Sequence, residues 1–138
     1  MSRRKAREMA LQALFQLDFN ETEPEVALEV VYAEFGKIGE KTRDYALKLV
    51  SGTHQEQSRI DQIIGDLSAD WSVDRMAGVD RNIARMAVFE LKFGTEELSP
   101  SVVINEAVEL AKTFGTDDSG RFINGILGSL VRKDRSVP

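Results

Sequence analysis

Apolar residues recur at helical spacing along almost the whole chain, and this periodicity is the strongest constraint on its fold. Val79, Ile83 and Met86, for example, fall on one stripe. A second stripe ends at Phe114, which is therefore predicted to lie in the core. No stretch keeps the alternating pattern of a β-strand. With only three prolines, one of them the last residue, little interrupts long helices, so the sequence predicts an all-α protein.

Start and stop signals divide this pattern into six or seven helices. Ser2 is a candidate N-cap of the first helix, and Asp117 or Asp118 of the last. Pro24 suits the first position of a helix, and Gly36 suits the position after a last turn. The predicted helices span 3–18, 24–35, 40–67, 79–93, 101–114 and 119–132.

Ser51 and Gly52 interrupt the predicted helix 40–67, and a break at that point makes seven helices. The connections are short enough for a helical bundle, and 138 residues suit one domain with a substantial core. Within that domain we expect an N-terminal subdomain over about 1–67 and a C-terminal subdomain over about 68–138, which share the core.

Charge is distributed unevenly along the chain. Residues 1–7 carry four cations and no acid, whereas residues 8–138 carry 14 basic and 23 acidic side chains. The net charge of −5 therefore hides a short cationic arm on an anionic body. Because an acidic body repels phosphate at long range, any contact with nucleic acid is expected to be local and sensitive to salt.

The residue types that most enzymes need are scarce in this sequence. Cysteine is absent, so neither a disulfide nor a thiolate zinc site can form, and a reducing cytoplasm fits this composition. His54 is the only histidine, and its polar surroundings predict a surface position. No phosphate-binding loop, nucleophile elbow, signal peptide or membrane-length apolar run occurs. We therefore expect no enzymatic activity, no metal and no cofactor.

Acidic side chains are interpreted as solvated rather than catalytic. Glu106 and Glu109 share a helix face, and Glu109 is a candidate partner of Lys112 three residues on. Paired carboxylates serve some hydrolases, but the adjacent pairs here fall at predicted helix ends and loops. These pairs are Glu96-Glu97 and Asp117-Asp118.

The cationic arm is the first candidate binding site. Its cations stand at a helix N-terminus and oppose the helix dipole, a cost that phosphate binding would explain. A frayed, solubilising terminus explains the same residues equally well. The arm consists of Arg3, Arg4, Lys5 and Arg7.

The run DDSGRFING over 117–125 is the second candidate site. Ser119 and Arg121 have the chemistry to bind phosphate at a helix start, and Phe122 has the chemistry to stack on a base. Taken alone, however, the run is better explained as a capped helix with Phe122 in the core.

Three segments of the sequence indicate a family: RRKAREMALQALFQ (3–16), VDRNIARMAVFEL (79–91) and PSVVINEAVELAKTFGTDDSGRFINGIL (100–127). They resemble the NusB family, bacterial transcription antitermination factors, and the last segment is long, ungapped and specific. The resemblance covers nearly the full chain and is weakest over 20–70. A related domain occurs fused to RNA cytosine methyltransferases, but no catalytic domain follows in this sequence, so we expect the free-standing factor.

The resemblance implies a NusB-like bundle of about seven helices in two three-helix subdomains. It implies that the protein binds boxA, a single-stranded element of ribosomal RNA leaders, together with NusE, a small-subunit ribosomal protein. It also implies a place in the cytoplasmic complex that keeps RNA polymerase elongating through terminators. Some family members form homodimers that hide the RNA surface, and the sequence leaves that alternative open.

The resemblance assigns roles to individual positions. Asp74 and Asp80 match acidic positions that face NusE, a basic protein whose charge complements the acidic body. Replacing both Arg4 and Arg7 with alanine is expected to weaken RNA binding and to leave the fold intact. For Trp71, a core position and a partner surface are both open. The RNA-contacting positions are Arg3, Arg4, Lys5, Arg7, Asp118, Ser119, Arg121 and Phe122.

A protein-interaction scaffold that does not bind RNA directly is the alternative hypothesis. A scaffold has no need of the arm, so deletion of residues 1–7 would leave its partner binding unaltered. An enzyme with an unrecognised carboxylate site is a third hypothesis. It would need a pocket with convergent acids, whereas the acids of this sequence are spread over helix ends.

Overall fold

A computed structural model describes residues 1–67 and 72–136 and shows an all-α protein, as the periodicity predicted. No described residue forms a β-strand, and none of the described helices is long and apolar enough to cross a membrane. Trp71 lies outside the described residues. The helices are α1 (Arg3–Leu17), α2 (Pro24–Phe35), α3 (Glu40–Gln55), α4 (Gln57–Leu67), α5 (Gly78–Lys92), α6 (Pro100–Phe114) and α7 (Ser119–Ser136), with a 3-10 turn at Val73–Arg75.

Local signals in the sequence account for several helix starts. Ser2 is extended, and its Oγ accepts a hydrogen bond of 3.1 Å from the amide of Lys5, as expected of an N-cap. Pro24 opens α2, where its missing N–H costs nothing. The carbonyl of Asp118 accepts a hydrogen bond from the amide of Phe122 at 3.0 Å, so Asp118 takes the N-cap position of α7.

The long helix predicted over 40–67 is divided in two, but the predicted position of the break was wrong. Helix α3 continues through Gly52 and ends at Gln55, and α4 begins at Gln57. Gly52 instead permits a close contact between α3 and α5, because a Cβ atom built there would overlap Cζ of Phe89. The glycine is therefore a packing requirement and not a helix break.

One continuous apolar core joins the helices. Helix α1 packs against α2 and α3 in a first group, and α5, α6 and α7 pack against one another in a second. Helix α5 connects the groups, because it also contacts α1 and α3 and buries every residue from 82 to 90. Helix α4 contacts α3 as well as α5 and α7. The subdomain boundary expected near residue 67 stays a prediction.

Not every residue of the predicted apolar stripes is buried, and Val79 is only half-buried. Phe114, which was expected in the core, is 37% exposed at the end of α6. Phe15 is similarly exposed near the end of α1. His54 is exposed, as its polar surroundings predicted.

We expect the Gly52→Ala variant to unfold more readily than the parent protein, by about 1–3 kcal/mol, because the added methyl overpacks a buried contact. The matched control is Gly65→Ala in α4, where nothing lies within 4 Å of the added Cβ. That variant gains about 0.5–1 kcal/mol, because alanine is the better helix former. Urea unfolding followed by circular dichroism measures both. Equal stabilisation of the two variants would contradict the close contact.

Candidate nucleic-acid interface

The cationic arm forms the first turn and a half of α1, and its side chains occupy different environments. Arg4 and Lys5 are exposed, Arg3 is half-buried and Arg7 is buried. The amide of Ser2 donates a hydrogen bond of 3.1 Å to Oγ1 of Thr42, which ties the start of the arm to α3. The arm is therefore a folded part of the molecule and not a frayed terminus.

Arg7 lies at the centre of a buried network that joins three helices. Its Nε and one terminal nitrogen donate to the two carboxylate oxygens of Glu90 on α5, at 2.7 and 2.8 Å. The hydroxyl of Tyr45 on α3 donates to the same carboxylate at 2.7 Å. The Arg7 and Glu90 side chains are only 4% and 3% exposed. The network therefore fixes the position of α1 relative to α3 and α5.

Burial and pairing have opposite effects on the ionisation of this network. Burial, the largest influence, lowers the pKa of Arg7, but the hydrogen bond and the charge of Glu90 together raise it above its ordinary value. Burial and the bond to Glu90 raise the pKa of Tyr45. The guanidinium therefore stays charged, and the phenol keeps the proton that it donates.

The burial of Arg7 corrects the sequence-based picture of the arm. Arg7 follows Ala6 and lies one turn before Ala10 in the buried part of α1, so its charge does not face the solvent. Helical spacing contained this signal, because those two alanines belong to the apolar stripe. The sequence predicted that replacing both Arg4 and Arg7 with alanine leaves the fold intact. The structure instead predicts that this double variant is destabilised, because Glu90 would stay buried without its cation.

Arg4 is exposed, but a carboxylate from α6 engages it. Its Nε and one terminal nitrogen donate to the two oxygens of Glu106, both at 3.0 Å. The side chains are 63% and 22% exposed, respectively. The hydrogen bond from Arg4 lowers the pKa of Glu106, and the same bond raises the pKa of Arg4. Glu106 was interpreted from the sequence as a solvated acid, and the structure gives it a specific cation.

The other two arm cations differ in how far they are paired. The Arg3 guanidinium lies 5.4 Å from the centroid of the Tyr45 ring and 3.8 Å from the carboxylate of Glu96. Lys5 makes no ion pair in the part of the chain that the structure describes. Arg4 and Lys5 therefore offer the most accessible cationic groups of the arm.

The second predicted group, at the start of α7, divides into exposed and buried side chains. Ser119 is buried, and its Oγ accepts a hydrogen bond of 2.9 Å from the amide of Thr116, so it closes the turn before α7. Phe122 is half-buried and packs against the core. These two positions fit the capped-helix interpretation. Asp118 and Arg121 are the members of the group that present exposed side chains.

Helix α6 connects the two candidate RNA-binding groups. Glu106, which holds the arm through Arg4, lies eight residues before Phe114 at the end of α6. At about 1.5 Å per residue, that distance along the helix axis is about 12 Å. The turn that carries the second group follows directly. The arm and the second group are therefore both attached to α6.

A groove with mostly apolar walls lies at the other end of α1. It has a volume of about 270 Å³ and is formed by α1, the start of α5 and the end of α6. The two exposed phenylalanines noted above belong to it, which explains why apolar rings remain at the surface. Its lining residues are Leu11, Gln12, Phe15, Gln16, Val79 and Phe114.

The two predicted partner-binding acids differ in their relation to this groove. Asp80 directly follows the groove residue Val79 in the first turn of α5, and its Oδ1 is buried without a hydrogen-bond partner among the described residues. Asp74 is exposed on the 3-10 turn. It lines a separate, open polar cleft together with Asp61 and Asp66. Only Asp80 therefore adjoins the apolar groove.

Asp18, which ends α1, fixes the groove by binding α5. Its carboxylate accepts hydrogen bonds from Arg81 at 3.0 Å and from Asn82 at 2.7 Å, and it lies 3.4 Å from Arg85. Arg85 also donates to both oxygens of Asp61 on α4, at 2.8 and 2.9 Å. This network holds the walls of the groove together.

The sequence did not single out Glu90, Tyr45 or Asp18. Their partners are 83, 45 and 63 or more residues away along the chain. No local sequence pattern predicts such distant pairs. A polar residue inside an apolar stripe, such as Glu90, nevertheless indicates that a polar group is buried there.

Comparison with known proteins gives a consistent result. The model of the NusB family matches residues 4–132. The chain is 50% identical over 139 residues to the transcription antitermination protein NusB of Desulforamulus reducens, covering 100% of this chain and 96% of that protein. It is 45% identical over 131 residues to the protein of the same name from Bacillus cereus, covering 94% and 97%.

Solved structures agree with the sequence comparison. The fold is similar to T. maritima NusB, with a TM-score of 0.86 and 35% identity, covering 96% of this chain and 92% of that one. It is equally similar to a chain in the crystal structure of antitermination factors NusB and NusE in complex with dsRNA. That TM-score is 0.86 and the identity is 30%, with 95% and 96% of the two chains covered.

We expect the Glu90→Gln variant to lose about 3–5 kcal/mol of unfolding free energy, because it leaves the Arg7 charge buried without a counter-charge. The control Glu97→Gln removes the same charge from an exposed position and changes stability by less than about 0.5 kcal/mol. Urea unfolding of both variants measures the difference. A Glu90→Gln variant as stable as its control would show that the buried pair does not hold the arm in place.

Proposed function

Because this chain belongs to the NusB family of transcription antitermination proteins, we propose that it binds boxA RNA together with NusE. Its role is regulatory and not enzymatic, in line with the family. A similar structure contains NusB and NusE with double-stranded RNA, which supports RNA and a ribosomal protein as partners of this chain. The further proposal is that the pair joins the complex that keeps RNA polymerase elongating, in the bacterial cytoplasm.

The observation that carries RNA binding is the exposed cationic turn at the start of α1. Arg4 and Lys5 stand on this turn, and Arg3 lies beside them. The buried Arg7–Glu90 pair holds the turn in a fixed position, so little order has to be gained on binding. An arginine fork suits a phosphate group geometrically.

Each predicted RNA-binding residue then takes a role that its environment permits. At the start of α7, Arg121 adds a phosphate contact, and Asp118 accepts hydrogen bonds from base amino groups or ribose hydroxyls. The half-buried ring of Phe122 offers at most its accessible edge to a base. Arg7 and Ser119 are buried, so they position the exposed residues and do not contact RNA themselves.

The groove at the far end of α1 is the proposed NusE surface. Its exposed phenylalanines supply apolar area, and Asp80 stands at its edge. Asp74 adds a negative charge on the neighbouring turn. Because the body is acidic, a basic ribosomal protein is the complementary partner. It also brings positive charge to the RNA that this chain lacks.

A protein-interaction scaffold remains the second candidate function. The groove favours it, because an exposed apolar surface typically marks a protein contact. The pairing of Arg4 with Glu106 favours it too, since that cation is already occupied. A homodimer that hides the RNA surface is a further form of this alternative.

The experiment that tests the proposal is a titration of labelled boxA RNA, followed by fluorescence anisotropy. The protein is added with and without NusE at two salt concentrations, and a scrambled RNA of the same length is the control. We expect tight binding only with NusE and only to boxA, with affinity that falls as salt rises. Binding of NusE without any binding of RNA would instead support the scaffold.

The Arg4→Ala variant is expected to bind boxA RNA more weakly, by about fivefold, which corresponds to about 1 kcal/mol. Its salt slope becomes shallower, by at most about 0.7, the value for one full phosphate contact on a single strand. The control Arg59→Ala removes an equally exposed cation on α4 and leaves both quantities unchanged. If the two variants behave alike, the arm is not the RNA site.

The Phe114→Ala variant is expected to bind NusE about tenfold more weakly, because it removes an aromatic wall of the groove. The control Val30→Ala truncates another exposed apolar residue, which lies on α2 and outside the groove. Isothermal titration calorimetry with purified NusE compares the two. Unchanged affinity in the Phe114→Ala variant would remove the groove from the interface.

A further inference from the structure

The Arg4–Glu106 pair has the geometry with which arginine binds a phosphate. Two guanidinium nitrogens of Arg4 point in parallel at the two oxygens of Glu106, each at 3.0 Å. Phosphate oxygens accept the same fork. A carboxylate of the protein therefore occupies the place that an RNA phosphate needs on this side chain.

The pair is exposed, so its role in stability is small. The Arg4 side chain is 63% exposed, in contrast to the buried Arg7 side chain at 4%. Exposed ion pairs contribute little to folding. Yet Glu106 is held on the rigid α6 and is itself only 22% exposed, so it is a fixed competitor for Arg4 and not a mobile counter-ion.

RNA binding therefore involves an exchange of anions at Arg4. A phosphate that takes the guanidinium displaces Glu106, whose negative charge then stays close to the phosphate. Both the lost ion pair and the new repulsion oppose binding. This cost is the same for any RNA, because it acts on a phosphate contact and not on a base.

From this geometry we infer that Glu106 is an affinity-setting residue: it mimics a phosphate on Arg4 and raises the threshold for RNA binding by the arm. The inference rests on the proposed function, since it requires that the arm binds RNA. Glu106 restrains the arm, whereas the residues that contact RNA strengthen binding. The arm therefore combines a cation for RNA with an internal competitor for that cation.

The test compares Glu106→Gln with the matched control Glu109→Gln. Glu109 lies three residues further along α6 and is also exposed to solvent, but its ion pair is with Lys112, at 3.6 Å, and not with Arg4. Each substitution removes one negative charge from the same helix. Thermal unfolding checks that both variants keep the stability of the parent, as expected for exposed pairs.

The readout is the anisotropy titration with boxA RNA and with scrambled RNA, in the presence of NusE. We expect Glu106→Gln to bind both RNAs about twofold to fivefold more tightly, the worth of an exposed ion pair. Its salt slope becomes steeper, by less than the value of about 0.7 for a full phosphate contact, because no released Glu106 carboxylate then takes up a cation. Glu109→Gln stays close to the parent protein in both quantities.

A double variant shows whether Glu106 acts through Arg4. In the Arg4→Ala background, Glu106→Gln should add no affinity beyond the effect of Glu109→Gln. An equal gain in that background would mean that Glu106 repels RNA generally, which overturns the inference. Weaker or unchanged binding by the Glu106→Gln single variant also overturns it, since Glu106 would then orient Arg4 or be irrelevant to it.

Titrations of the parent protein and of Arg4→Ala distinguish failure of this inference from failure of the proposed function. Failure of the parent to bind either RNA, with NusE present, rejects RNA binding and the inference together. Binding by the parent that Arg4→Ala weakens, with no gain in Glu106→Gln, rejects the inference alone. The proposed function would then stand with an arm that Glu106 does not restrain.

Discussion

The buried ion pair between Arg7 and Glu90 is the interaction on which the rest of the molecule depends. It joins α1 to α5, and the hydroxyl of Tyr45 adds α3 to the same carboxylate. Taking both charges out of water is costly, and the cost is offset only when every hydrogen bond of the network is made. One helix arrangement satisfies the network, and it places the arm at a defined surface.

The arginines of the arm are paired with carboxylates of the acidic body. Arg3, Arg4 and Arg7 each face a carboxylate from the C-terminal half of the chain, and these carboxylates differ in exposure from buried to solvent-accessible. The most buried pair fixes the fold, whereas the exposed pairs can exchange partners at little cost. Structural and exchangeable ion pairs therefore lie within one and a half turns of the same helix.

The C-terminal end of α1 is also held by hydrogen bonds to a charged group, but it adjoins a groove and not a cationic turn. Asp18 ties this end to α5 through Arg81 and Asn82, and so holds open a groove whose phenylalanines stay at the surface. One rigid helix therefore carries a cationic turn at its start and an apolar wall near its end. Because both ends are anchored to α5, the proposed RNA and protein contacts sit on a common frame.

The sequence by itself determined the all-α class, the main helices and the cationic arm, because periodicity, caps and charge are local properties of the chain. It misplaced the break after α3, expected Phe114 in the core and assigned Arg7 to the surface. Those errors share a cause: whether Gly52 breaks a helix or receives the ring of Phe89 depends on another helix. Tertiary structure alone decided the ion pairs between helices, because the partners of Arg7, Arg4 and Asp18 lie more than 60 residues away and meet them only when the helices pack.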